Sequence, residues 1–192
     1  MTTSGRPLLE PRDRAALRAW LSANHATSSG VLLAVGKKGN RVTALAYDDA
    51  VEEALCFGWI DSTARRLDAD RYTVLYTPRK RRSVWARTNK VRIERLIAAG
   101  LMMPAGLAVI EAAKADGSWT LLDDVEAMVV PPDLASALSA LPGASEGFAS
   151  MTASARKMAL YHIASAKRPE TRARRIAETV DDAANGRVRS SP

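Results

Sequence analysis

The chain of 192 residues is 47% hydrophobic and 26% charged, with a net charge of +7, which is typical of one globular domain or of one domain with a short appended unit. The chain has one cysteine, Cys56, so an intrachain disulfide and a zinc site built from several thiolates are excluded, and Cys56 is predicted to be a small buried residue. The sequence contains only two histidines, and we expect no metal and no cofactor. Residues 1–14 are polar and no segment approaches the length of a membrane span, so we expect a cytoplasmic protein without membrane insertion.

The first fifty residues predict one helix and the beginning of a sheet. Residues 11–23 are predicted to be helical, with Trp20 on the apolar face, and residues 31–35 form a short Val-rich strand. Residues 36–40 are predicted to turn the chain, and residues 41–45 to return as a second strand. These elements indicate a small antiparallel sheet.

The next segments add helices and a further strand. Residues 47–57 are predicted to form a helix that Gly58 caps at its C-terminus, and residues 71–77 alternate as a strand does. Residues 83–99 and 104–117 are predicted to be two more helices. Apolar periodicity predicts one shared core built from Trp20, Val51, Leu55, Ile93, Leu96 and Ile110.

The C-terminal part is predicted to be helical. Pro131-Pro132 and Pro142-Gly143 indicate a hinge-like stretch, followed by helices over residues 152–166 and from Pro169 onward. The fold class is therefore α+β: a small antiparallel sheet packed with helices, followed by a C-terminal helical module. We predict that residues 1–125 form the α+β unit, that residues 126–186 form the helical module packed on it, and that residues 187–192 are a disordered tail.

Charge alternates along the chain and points to anionic partners. Residues 61–100 carry eleven Lys/Arg and four acids, residues 101–151 one Lys and seven acids, and residues 152–192 nine basic and four acidic residues. The first of these segments is predicted to form a contiguous basic face, which indicates an anionic small molecule or nucleic acid as partner. The alternative is an ordinary solvated surface.

Residues 54–61, with the sequence ALCFGWID, are the most unusual segment. In an extended chain after the helix end, Trp59 and Asp61 lie on one side. An acid placed two residues from a tryptophan indicates a binding or catalytic group. The alternative is that Asp61 caps a turn and Trp59 belongs to the core.

Residues 76–85, with the sequence YTPRKRRSVW, form a second candidate segment. Ser83 is a suitable N-cap for the predicted helix, and a helix N-terminus beside Arg79 and Lys80 favours an anion. Trp85 could stack on a base. The alternative is a solvated basic loop.

Asn89 and an arginine stripe complete the candidate residues. Asn89 is predicted to lie on the apolar face of its helix, where it either holds a nearby loop or binds a ligand. Arg168, Arg172 and Arg175 lie on one side of the last helix, near an N-terminus that disfavours cations. We expect a compensating partner, either an acid of the 101–151 segment or a bound anion.

These segments resemble the YdeI/OmpD-associated (bacteriocin-protection) family. The resemblance rests on residues 47–61, 76–89, 100–106, 117–119, 131–148 and 166–176. It covers nearly the whole chain, with long motifs. It implies a link to protection from bacteriocin-like cationic peptides and to a porin, and it brings no catalytic residue with it.

Three functions follow as hypotheses. The first is the binding of an anionic ligand, namely a nucleotide, a phosphorylated metabolite or nucleic acid, near Trp59, Asp61 and Arg79. The second is an enzyme that uses Asp61 as general acid or base, with Arg79 and Asn89 positioning the substrate. The third is a stress or bacteriocin-resistance protein that acts through a protein partner.

Overall fold

A computed structural model describes residues 5–37, 39, 43 and 45–187. The chain divides into two compact units. The first unit comprises Met1–Ser83 and Thr88–Ser118, and the second comprises Val84–Arg87 and Trp119–Pro192. The predicted division after residue 125 stays a prediction, and residues 188–192 of the predicted tail lie outside the described residues.

Four strands form the sheet of the first unit. They are β1 (Leu8–Leu9), β2 (Val31–Gly36), β3 (Trp59–Arg66) and β4 (Arg71–Pro78), in the order β1-β2-β4-β3. The predicted α+β class is confirmed. The sheet is mixed rather than purely antiparallel, because β1 pairs in parallel with β2 while the other two pairs are antiparallel. The predicted strand over residues 41–45 falls mostly outside the described residues.

The pairing of β3 with β4 sets the positions of the polar side chains. Asp61 lies directly opposite Tyr76, and Trp59 lies opposite Pro78. A bulge between Asp61 and Ala64 interrupts the ladder. Directly opposed residues point to the same face, so Asp61 and Tyr76 share one face of the sheet.

The helices of the first unit are α1 (Arg14–Asn24), α2 (Tyr47–Cys56), α3 (Arg87–Ala98) and α4 (Pro104–Ala115), except that the first residue of α3, Arg87, belongs to the second unit. The Asp13 carboxylate caps α1 by accepting a hydrogen bond of 2.8 Å from the Ala16 N–H. Gly58 follows the end of α2 with φ of +75°, as the predicted cap requires. Both α1 and α4 pack against α2, and α2 packs against β2 and β3.

The predicted core residues of the first unit are buried, with one exception. Val51, Leu55, Ile93, Leu96 and Ile110 are each at most 3% exposed. Trp20 is half-buried, and its ring meets the Trp59 ring edge-on at 5.9 Å. Cys56 is fully buried, as predicted, and burial raises the pKa of its thiol.

The third helix begins at Arg87, and the prediction that it begins at Ser83 is wrong. The chain turns before it reaches helical geometry: the Ser83 N–H bonds to the Lys80 carbonyl at 3.1 Å, and Arg82 adopts a φ of +62°. Residues 83–86 are not helical. Ser83 is therefore part of a turn and caps no helix.

The second unit consists of helices in its described part. They are α5 (Asp123–Glu126), α6 (Pro132–Ala140), α7 (Ala144–Ser150), α8 (Ala153–Ala164) and α9 (Pro169–Ala184). Helix α9 contacts α6, α7 and α8, and the core includes Leu134, Phe148, Ile163 and Val180.

The hinge-like stretch predicted between Pro131-Pro132 and Pro142-Gly143 contains α6, and its behaviour as a hinge stays a prediction. Pro132 occupies the first turn of α6, where no intrahelical donor is required.

Gly147 lies where α7 packs closely against α9. A Cβ atom at this position would lie 2.0 Å from the Ala183 carbonyl oxygen. We predict that Gly147→Ala lowers the free energy of unfolding by about 3 kcal/mol, because backbone atoms cannot move aside as a flexible side chain can. Denaturant unfolding of the two proteins measures the difference. The exposed neighbour Ser145 offers the control: Ser145→Ala should stay within about 0.5 kcal/mol of the parent. Equal stability of the Gly147 variant and the parent would contradict the close packing.

Candidate functional site

Asp61 is the centre of a group of polar side chains on the helix-covered face of the sheet. The Tyr47 hydroxyl, at the first residue of α2, donates a 2.6 Å hydrogen bond to Asp61 Oδ2. Tyr76 reaches the same region from β4 because it lies opposite Asp61. Arg79 follows one residue after β4. We call Tyr47, Asp61, Tyr76 and Arg79 the Asp61 cluster.

The Tyr76 side chain carries an unsatisfied hydroxyl. The residue is 2% exposed, and among the described residues its hydroxyl has no hydrogen-bond partner. Burial raises the pKa of Tyr76 well above its usual range, and the charge of Asp61 raises it further. The hydroxyl therefore stays protonated and is able to donate. Because a buried unpaired hydroxyl is costly, such groups are uncommon in folded proteins.

The neighbouring tyrosines are also held in their neutral form. Burial and the hydrogen bond to Asp61 raise the pKa of Tyr47 to about 12. Burial and the charge of Asp48 raise the pKa of Tyr72. At neutral pH the cluster thus presents phenol donors around one carboxylate.

Arg79 brings a positive charge into this buried region. Its backbone N–H donates to the Gly58 carbonyl at 3.0 Å, which holds the residue beside the end of α2, and the residue is 8% exposed. Burial lowers the pKa of Arg79 to about 10, and the negative charge of Asp61 opposes this shift. The guanidinium remains charged at neutral pH. The structure thus brings two of the predicted residues, Asp61 and Arg79, within electrostatic reach of one another.

Asn89 lies in the first turn of α3 and is half-buried. It lies one helical turn before the buried Ile93, on the predicted face, but is less buried than its neighbour Lys90. The Asn89 side-chain oxygen accepts a 3.2 Å bond from Arg92, and Arg92 also binds Asp48 at 2.5 Å. Asn89 therefore joins the Asp61 cluster only indirectly, through an arginine that acts electrostatically on Tyr47 and Tyr76.

The two predicted tryptophans lie in hydrophobic contacts. Trp59 is 1% exposed, and its indole N–H donates to the His25 carbonyl at 3.3 Å. Trp85 is equally buried, belongs to the second unit and contacts the Trp119 ring at 5.1 Å. Trp85 and Asp61 thus belong to different units.

Lys80 and Ser83 do not form the predicted anion site at a helix N-terminus. Lys80 is exposed, and Ser83 belongs to the turn described above. At the true start of α3, the Arg87 N–H donates to the Glu126 carboxylate at 2.9 Å. Both residues belong to the second unit.

The basic segment 61–100 offers fewer cations to a polyanion than its sequence suggests. Arg71 pairs with Asp68 and Glu10, and Arg92 and Arg95 pair with Asp48 and Glu52. Two others, Arg79 and Lys90, are buried. The predicted contiguous basic face stays a prediction.

The arginine stripe of α9 has internal partners. Arg172 binds the Asp133 carboxylate through two bonds of 2.7 and 2.9 Å, so an acid of the 101–151 segment is one of the compensating groups. Arg175 donates to the His162 carbonyl at 2.5 Å and to Ser165 Oγ at 3.0 Å, at the C-terminal end of α8. A positive side chain at the C-terminal end of a helix interacts favourably with the partial negative charge of the helix dipole. Arg168 is the exposed residue that precedes α9.

Sequence patterns missed Tyr47, Tyr76 and Arg92 as members of the site. Tyr76 was named only as part of a strand and as the first residue of the segment 76–85, because nothing in the sequence gives the register that sets it opposite Asp61. Within the described ranges, no group of three or more His, Cys, Asp or Glu side chains is arranged to hold a metal ion. None of the described helices combines the length and apolar character needed to cross a membrane.

The raised pKa values of the tyrosines predict loss of stability at high pH. A free tyrosine ionises near pH 10, so folded Tyr47, with a pKa of about 12, contributes stability below pH 10 that is lost as the pH rises toward 12.

We predict that Asp61→Asn shifts tyrosinate formation to lower pH, because Tyr47 then loses a charged acceptor. Spectroscopic titration of tyrosinate, with circular dichroism to follow unfolding, measures both effects. An unchanged titration curve would show that the Tyr47–Asp61 bond is absent in solution.

Two family models match the chain. Residues 9–109 match the domain of unknown function DUF8412, and residues 127–186 match the family described as Bacteriocin-protection, YdeI or OmpD-Associated. No curated protein and no solved structure matches the chain. The second match confirms the predicted resemblance over residues 127–186, whereas the segments around Asp61 and Arg79 lie within the first. Since the first model covers more than half of the residues, the chain belongs to the DUF8412 family, and its C-terminal part carries the YdeI- or OmpD-associated bacteriocin-protection domain.

Proposed function

We propose that the first unit binds an anionic small molecule at the Asp61 cluster. The observation that carries this proposal is the buried Tyr76 hydroxyl, for which the described residues provide no partner. A ligand oxygen would accept its hydrogen bond. Such an unsatisfied group is more easily explained at a binding site than in a core selected for stability alone.

The charges of the cluster favour an anion that also carries a hydrogen-bond donor. The Arg79 guanidinium is buried and positively charged, so it attracts a carboxylate or phosphate group. The Asp61 carboxylate accepts from Tyr47 and has further lone pairs for a hydroxyl or amine of the ligand. A hydroxylated phosphate or carboxylate matches both groups.

Burial favours a small molecule over nucleic acid. Tyr76 is 2% exposed and Arg79 is 8% exposed, so a backbone phosphate of a rigid duplex would not reach them. Duplex binding would use exposed cations such as Lys80 and Arg81 instead.

Tyr76→Phe tests the proposal directly. We predict that the variant melts at or above the temperature of the parent, because removal of an unpaired buried hydroxyl relieves its desolvation cost. Its response to ligand should fall by about tenfold or more in affinity, the worth of one hydrogen bond to a charged group. The measurement is a thermal-shift assay with AMP, glucose 6-phosphate, citrate and inorganic phosphate.

Tyr161→Phe provides the matched control, since Tyr161 is a partly buried tyrosine of the second unit. It should leave the ligand response unchanged. A Tyr76→Phe protein that melts several degrees below the parent would mean that the hydroxyl has a structural partner, and the proposal would be wrong.

The C-terminal family's description refers to bacteriocin protection and OmpD association. We propose that the protein acts in stress resistance from the cytoplasm, through a protein partner. Bacteriocin survival of a deletion strain complemented with the parent or with Tyr76→Phe tests whether ligand binding and resistance are linked. Survival equal to that of the uncomplemented strain, with the parent protein expressed, would contradict the resistance role.

A further inference from the structure

A cavity lies where α1, α2 and the C-terminal end of α3 meet. It has a volume of about 300 Å³, at the lower end of the range of small-molecule sites. Its lining residues include no member of the Asp61 cluster. We call it the Glu53 cavity, after its most deeply buried lining carboxylate.

Glu53 holds two guanidinium groups in position at this cavity. The residue is 2% exposed, and its two oxygens accept from Arg14 Nε at 2.7 Å and from Arg18 Nη1 at 2.8 Å. Arg18 is held further by a 2.8 Å bond to the Leu101 carbonyl. A paired buried carboxylate of this kind fixes the planes of both arginines, which pre-organises them for a ligand.

Two arginines at the cavity retain donors for a ligand. The Arg95 side chain is 67% exposed, and its described bond is a long one of 3.3 Å to Glu52. Arg14 bonds to acids through Nε and Nη1 and makes no described bond through Nη2. Since a guanidinium has five N–H donors, both groups are able to bind a planar anion in addition to their present partners.

One wall of the cavity is apolar. It consists of Leu96, Ala99 and Leu101, and the Leu101 side chain is partly open to solvent, with the residue 37% exposed. An all-polar ion would leave this wall uncovered, whereas a hydrocarbon segment would bury it.

The balance of charge around the cavity selects among anions. Three guanidinium groups face three carboxylates, because Arg14, Arg18 and Arg95 bind Asp49, Glu52 and Glu53 in ion pairs. A phosphate dianion gains little electrostatic free energy from surroundings without net charge. A carboxylate, in contrast, binds through two N–H groups of a single guanidinium. We propose that the Glu53 cavity binds a small amphiphilic carboxylate, with its charge on Arg95 and Arg14 and its hydrocarbon part on the Leu96–Leu101 wall.

Calorimetric titration with hexanoate, acetate, hexanol and inorganic phosphate tests this proposal. We expect hexanoate to bind about tenfold or more tightly than acetate and phosphate, because its methylenes are buried, and hexanol to bind more weakly than hexanoate. Arg95→Gln should weaken hexanoate binding about tenfold. Leu101→Ser should weaken hexanoate binding and leave acetate binding unchanged.

Arg174 provides the matched control for Arg95. Its side chain is 66% exposed and makes one ion pair with a glutamate, as Arg95 does, but it lies in the second unit. Arg174→Gln should leave hexanoate binding unchanged. Circular dichroism of each variant verifies that the fold is retained.

Two results would overturn the proposal: equal affinities for hexanoate and acetate, or an Arg95→Gln protein that binds hexanoate as the parent does. The Tyr76→Phe variant separates this site from the one proposed at the Asp61 cluster. It should bind hexanoate with the affinity of the parent whether or not the Asp61 cluster binds a ligand.

Discussion

The sharp turn at Gly58 is the constraint on which the Asp61 cluster depends. With φ of +75°, this residue ends α2 and directs the chain at once into β3. A Cβ atom here would lie 2.8 Å from the Val109 side chain and 3.2 Å from the Ala105 carbonyl, so α4 also relies on glycine. The Gly58 carbonyl then accepts the Arg79 N–H. One position thus joins the helix of Tyr47, the strand of Asp61 and the loop of Arg79.

The two buried polar centres of the first unit differ in how they are satisfied. At Glu53, each carboxylate oxygen accepts a hydrogen bond from a guanidinium group. The N–H groups that remain able to bind a ligand are those of the arginines around the cavity. At the Asp61 cluster, the carboxylate is bonded to Tyr47 while the Tyr76 hydroxyl remains unsatisfied among the described residues. Because an unsatisfied buried group costs free energy, a ligand oxygen that accepted from Tyr76 would remove that cost. This contrast is why we propose a ligand at the Asp61 cluster.

Ion pairs and hydrogen bonds within each unit hold many of the arginines of this basic protein. In the first unit, Arg14, Arg18 and Arg92 bind acids of α2. In the second unit, Arg172 binds Asp133 and Arg175 caps the end of α8. A net charge of +7 therefore says less about polyanion binding than the sequence suggests, because a cation held in a buried or paired position is not available to a distant phosphate.

Local patterns in the sequence were sufficient to determine the α+β class, the helix α2 with Gly58 behind it, the strand β4, the burial of Cys56 and most of the predicted core. Each of these follows from periodicity, capping or composition within a few residues. The family resemblance was likewise readable from short motifs, and the match over residues 127–186 confirms it. Tertiary structure alone decided the rest. The register of β3 on β4 set Tyr76 opposite Asp61, and the turn at Arg82 moved the start of α3 to Arg87. Packing of α1 against α2 buried Glu53 between two arginines that are 35 and 39 residues away in the chain. Such contacts depend on which distant segments meet, and no local pattern contains that information.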